Sequence, residues 1–202
     1  MKKSTRVISI LLALVMIMSL ATQNAFAVTP SPTVGWKLDR GITRISWWMS
    51  YENNGGWYEY QIINAVNNWE SPGWTNPMNF VAASSNSGTM IDIYTEDSAF
   101  FATLGNSTAN AGTQYFAQNG VNPLIIGSVA YYRFTRIYIN DTVLHNAGAT
   151  NMKASIAHEI GHSLGLDENN SNKYSIMCQA GSGRKVSTVQ ECDNTAVVNL
   201  YS

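Results

Sequence analysis

An α+β domain built on one mixed β-sheet is the fold the sequence predicts. Three observations carry that expectation. Apolar residues alternate in short runs at 42–50, 78–84, 89–95 and 134–141. Helical spacing holds over 57–70 and again over 150–165. No internal repeat and no linker divides the chain of 202 residues.

The chain starts with a segment of another kind. MKKSTR is basic, residues 7–20 form an apolar run, and ATQNAFA ends with Ala25 and Ala27 in an A-x-A cleavage pattern. Residues 1–27 therefore read as a signal peptide, with the mature chain starting at Val28 and the protein secreted, extracellular. The apolar run falls short of the about 20 residues a membrane span needs, so no stable membrane insertion is expected. Residues 28–40 form an N-terminal lead-in, whose Pro-containing VTPSPTVG stretch is expected to be poorly ordered. The domain proper is expected to occupy 41–202.

Within it, Ile45, Trp47 and Met49 alternate and predict a strand. YENNGG predicts a turn. Tyr58, Ile62, Ala65 and Trp69 then share one helical stripe, which Ser71-Pro72-Gly73 stops. MNFVAAS and TMIDIYT predict two more strands. Residues 96–130 mix Ala, Asn, Gly and Ser with scattered aromatics, and predict long loops with one short strand. FTRIYIND restores alternation through Ile137 and Ile139. TNMKASIAHEIGHSLG predicts the second helix, with Asn151 as its N-cap and Gly165 in the left-handed position that closes it. NTAVVNLY predicts a closing helix.

Without Lys2, Lys3 and Arg6, nine basic side chains face thirteen acidic ones, a net charge near −4. No basic face points to nucleic acid, which is not an expected partner. Cys178 and Cys192 flank the loop QAGSGRKVSTVQE. In an oxidising compartment such an even pair predicts a disulfide, worth about 3 kcal/mol in the chain-entropy model. A two-cysteine metal site is the alternative, but no nearby Cys or His completes it.

The chemistry is concentrated in HEIGHSLGLDE, residues 158–168. Residues four apart on a helix are neighbours, so His158 and His162 can converge on one ion. Glu159 is turned about 100° away around the helix and can reach a water on the metal without occupying it. Gly165 takes the positive φ that lets the chain bend back toward the ion. Beyond it, Asp167 and Glu168 point to alternate sides if the segment is extended, so only one of them is expected as the third ligand. A carboxylate is a legitimate zinc ligand at about 2.0–2.2 Å.

HEIGHSLGLD, followed by Met177 in SIMC, resembles the metzincin metalloproteases, and among them the matrixins. The convincing match covers about residues 150–178, with a fainter likeness of WKLDRGITRI to the first strand of a matrixin catalytic domain. The resemblance implies a twisted mixed sheet with an active-site helix and a Met-turn, in which Met177 floors the metal. It implies a secreted zinc-dependent endopeptidase, with one catalytic Zn2+ on His158, His162 and Glu168 and with Glu159 as general base. The family's spacing places a histidine where Glu168 stands, and it selects Glu168 over Asp167. The expected partner is an extended protein or peptide substrate added to a sheet edge, and a monomer is expected.

Other readings stay open beside it. Asn and Asp in the loops are calcium-type donors, but no loop has a recognisable Ca2+ spacing. His145 lies before the catalytic helix and reads as a satisfied surface histidine. A catalytically idle protease fold binding matrix or cell-wall glycans through Trp47-Trp48 and Trp57-Tyr58 is the alternative function; core packing is the more frequent use of such aromatics.

Overall fold

Alternation along the strands decides which face of the sheet carries the site. In the computed structural model, residues 28–118, 120, 122–125 and 130–202 are described; the expected signal peptide lies outside them. Strand β1 (Lys37–Leu38) is short, and β2 (Ile45–Met49) buries Ile45, Trp47 and Met49 on one side, as its alternation predicts. Helix α1 (Gly55–Glu70) buries Tyr58, Ile62, Ala65, Val66 and Trp69. Gly55 and Gly56 belong to this helix rather than to the expected turn, because Asn53 and Asn54 take the left-handed conformation and start it early.

Strands β3 (Phe80–Ala82) and β4 (Ile91–Glu96) follow as expected. The stretch 96–130 holds one short helix that the sequence does not predict and the one short strand that it does. Asp97 accepts from the Phe100 amide at 2.9 Å and starts helix α2 (Ser98–Thr103). Strand β5 (Ala111–Phe116) then runs for six residues. After β6 (Tyr131–Tyr132) come β7 (Phe134–Asn140) and the single turn α3 (Asp141–Leu144). Helix α4 (Ala149–Ser163) and the closing helix α5 (Glu191–Tyr201) complete the order.

Among the described residues the main sheet has the order β3-β2-β4-β7-β5. All its pairs are parallel except β5 against β7, so the sheet is mixed, as predicted. WKLDRGITRI does not supply its first strand as one piece: Lys37–Leu38 pairs in parallel with Tyr131–Tyr132 in a separate two-stranded sheet. Ile45 and Met49, Ile91 and Ile93, and Ile137 and Ile139 share one core with the buried faces of α1 and α4. The Trp69 indole donates to Ala157 O at 2.8 Å and locks the two helices together.

Three expectations need correction. Asn151 does not cap α4: Gly148 occupies the cap position, and the Asn151 side chain donates to Ala147 O at 2.9 Å. The VTPSPTVG lead-in is not loose. Thr33 bridges Leu166, Val34 donates to Gly165 O at 3.0 Å, and Asp167 donates to Pro32 O at 2.9 Å. The Cys178–Cys192 bridge is not formed. Both cysteines are buried and free, one thiol facing the Gln179 carbonyl and the other Asp193 and Asn172.

Candidate metal centre

Helix α4 presents His158, Glu159 and His162, and its end is built to return the chain to them. Gly165 has φ 93°, and a Cβ there would meet Leu200 and the Trp36 carbonyl, so only glycine fits the bend. The Leu166 amide then donates to Gly161 O at 3.0 Å, closing the helix end. Asp167 and Glu168 part company, as the extended backbone requires. Asp167 Oδ1 accepts from the Glu168 amide at 2.8 Å, while the Glu168 carboxylate turns to the imidazoles.

Each imidazole is fixed from behind. Nδ1 of His158 donates to Ile176 O at 2.9 Å, and Nδ1 of His162 to Leu166 O at 3.0 Å. With the Nδ1 protons so committed, both Nε2 lone pairs are free to face one ion. The two Nε2 atoms are 3.1 Å apart, and Glu168 Oε1 is 3.5 Å from each. Donors about 2.0–2.2 Å from a tetrahedral zinc are separated by about 3.3–3.5 Å, so this triangle has the size such an ion requires. Oε2 of Glu168 is buried without a hydrogen-bond partner, a further mark of a donor set short of its acceptor. Two imidazoles and one carboxylate suit zinc, and the residues present fit it.

The electrostatics agree. Burial alone would pull His162 down, but the contact with Glu168, the Glu159 charge and the Leu166 carbonyl push it up to about 9. Burial would raise Glu168, but His158 and His162 hold it down at about 2. His162 and Glu168 thus form an ion pair, and a dication binding there would displace its proton.

Met177 lies fully buried below α4, so close to Gly161 that a methyl group there would overlap its sulfur. Asn169 donates its amide to Met177 O at 2.9 Å, and Gln179 Nε2 donates to Glu168 Oε1 at 2.9 Å. The segment carrying Glu168 and the turn carrying Met177 are therefore tied to each other. His145 stands apart: it stacks on Trp57 at 4.9 Å and pairs with Asp141 at 3.0 Å, a satisfied histidine as expected. Trp47 is a core residue, and Trp48 packs edge-on against Tyr94.

A cleft of about 750 Å³ opens over the trio, walled on one side by 108–113 of β5 and its approach and on the other by 179–184. Two of its residues carry no sequence signal. Thr113, on β5, donates its hydroxyl to Glu159 Oε2 at 2.7 Å. Arg184 reaches in from the segment after Met177 and donates to Ile176 O and Cys178 O at 3.3 and 3.4 Å. Alternation along 111–116 would have put Thr113 and Tyr115 on one face, but nothing local says that this face meets Glu159.

The family model for matrixins matches residues 57–202. No curated protein matches the chain. Among solved structures, a chain of the "GM1 bound form of the ECX AB5 holotoxin" is 15% identical, with a TM-score of 0.48, over 79% of this chain and 80% of that one.

Proposed function

The chain belongs to the matrixin family, and from that premise we propose that it is a zinc-dependent endopeptidase, exported after removal of residues 1–27. His158, His162 and Glu168 hold the metal, Glu159 is the general base, and residues 41–202 form the catalytic domain. One observation carries the reading: a tetrahedron-sized set of three donors stands beside a hydrogen-bonded carboxylate in an open cleft.

Bound zinc supplies Lewis acidity toward a water and toward the scissile carbonyl. The chain's own residues do the rest. Ala111, Gly112 and Thr113 line the cleft at the outer edge of the sheet, where an extended peptide can add itself as a strand and take its register from the backbone. Glu159 accepts the proton of the attacking water and delivers it to the departing amine. Thr113 holds the Glu159 carboxylate in one rotamer while it does so. Met177 keeps the floor under α4 rigid, so the imidazoles do not shift as the substrate enters.

The test is Glu159→Gln. The variant should bind zinc and melt like the parent yet lose at least about 100-fold in kcat, the scale of a missing general base. Chelator should abolish cleavage by the parent, and zinc should restore it. Proteolysis persisting in the purified variant would refute the assignment.

A further inference from the structure

Arg184 stands on the wall of the cleft, and among the described residues it has no counter-ion. Its guanidinium is partly buried, and apart from the imidazoles it is the one basic group among the described residues that line the cleft. Among the described residues no carboxylate lies within ion-pairing distance of it. Glu159 and Glu168 reach it only through longer-range charge; the first is held by Thr113, the second by the imidazoles and Gln179. Burial pulls its pKa below the ordinary arginine value, as expected of a cation short of compensation, yet an arginine stays charged. Taking a charge from water without pairing it is costly, so such a group marks a site completed by a ligand anion.

Its geometry is fixed in advance. One guanidinium nitrogen donates to both Ile176 O and Cys178 O, on either side of Met177. Ile176 O also accepts from His158. Arg184 is thereby braced against the same turn that orients the first metal ligand. Five donors in a planar fork leave others for a carboxylate, which pairs with such a fork through two parallel bonds. Apolar lining on this wall is slight: Ala180 and Gly181 precede Arg184, and nothing there offers a deep greasy socket.

Resting on the endopeptidase reading, we propose that Arg184 sets substrate specificity: the side chain entering beside the 179–184 wall, next to the scissile bond, is Asp or Glu. The recognised class is therefore an acidic peptide. The guanidinium binds the substrate carboxylate and takes no part in proton transfer.

Peptides identical except for Glu, Gln or Leu, scanned across the positions flanking the scissile bond, are titrated against the zinc-loaded mature chain. Cleavage of the same peptides is followed with and without chelator. At one position, Glu should bind more tightly than Gln and give a higher kcat/KM, by about 10–100-fold, the size of a charge-assisted bond. Salt should shrink that ratio, and Arg184→Leu should collapse it while Arg184→Lys keeps part of it. If Arg184→Leu does not fold, the Glu-to-Gln ratio of the parent protein and its salt dependence decide alone. Equal binding of Glu and Gln peptides at every position overturns the proposal, as does a variant whose ratio equals the parent's. Glu preference in binding without chelator-sensitive cleavage overturns the hydrolytic reading and leaves acid recognition standing.

Discussion

Thr113 has one hydroxyl proton and two acceptors within reach, Glu159 Oε2 at 2.7 Å and Glu159 O at 3.2 Å. The shorter bond, to the carboxylate, dominates, and it holds in place the group proposed as the general base. Removing the hydroxyl in Thr113→Val should cost about tenfold in kcat with KM little changed, the effect of one charge-assisted bond of about 1.5 kcal/mol. Thr113→Ser should restore most of it, whereas equal kcat in the parent and in Thr113→Val would show that Glu159 is held by something else. Glu168 makes a second case at this scale. Glu168→Ala deletes a donor rather than its support, so zinc affinity should fall by more than the about 10–100-fold typical of outer-shell changes. Competition with a fluorescent chelator measures it; an unchanged affinity would shift the ligand role to Asp167 or elsewhere. That Glu168 comes beside His158 and His162 is legible in the sequence, because the spacing counts directly along the chain. Thr113 and Arg184 are not, because each acts on a group that tertiary folding alone brings near.

Among the elements, α1 and α4 are legible for the same local reason: a 3.6-residue apolar stripe and the HEIGHSLG run announce themselves in any window. Helix α2 is not, since six residues are too few for a periodic signal and its Asp97 cap looks like any loop acid. Strand β5 is built of small and polar residues, and its identity comes from pairing with β7. The start of α1 depends on a contact no pattern displays. Asp141, at the head of α3, accepts from Tyr58 OH at 2.8 Å, His145 Nδ1 at 3.0 Å and Asn54 Nδ2 at 2.9 Å. Burial would raise its pKa, but these bonds outweigh it and hold it below the ordinary value. The sign follows from linkage. A depressed acid contributes its stability in full above the unfolded value of about 3.9 and loses it as pH falls through the folded one. Asp141→Asn should therefore lower Tm near neutral pH and flatten the fall of Tm on acidification below about pH 4. Parallel Tm–pH curves for parent and variant would remove this clamp from the acid response.

Across the whole molecule, the site is held by three parts of the chain that are far apart in sequence. Asp193, fully buried at the head of α5, accepts from Ser31 Oγ at 2.7 Å, Ile176 N at 2.9 Å and Gln190 N at 3.0 Å, and from the Ser175 hydroxyl. The chain just after Val28, the turn carrying Met177 and the closing helix thus meet on one carboxylate. From the same N-terminal segment, Pro32, Thr33 and Val34 pair with Gly165–Asp167, the backbone that delivers Glu168. A lead-in with two prolines and no apolar period carries no sequence signal of this role; its order is imposed by the partners it meets. A chain starting at Gly35 should therefore be weakened twice over. It loses backbone bonds worth about 0.5–1.5 kcal/mol each and leaves Asp193 short of a donor, so unfolding should become easier by about 2–4 kcal/mol. Its ligand loop also becomes freer, and zinc affinity should drop in the same preparation. Denaturant titration and chelator competition read the two effects separately. Lower stability with zinc affinity intact would mean that the segment braces the fold but not the metal. Parent-like values in both would show that the turn and α5 hold Glu168 in place unaided.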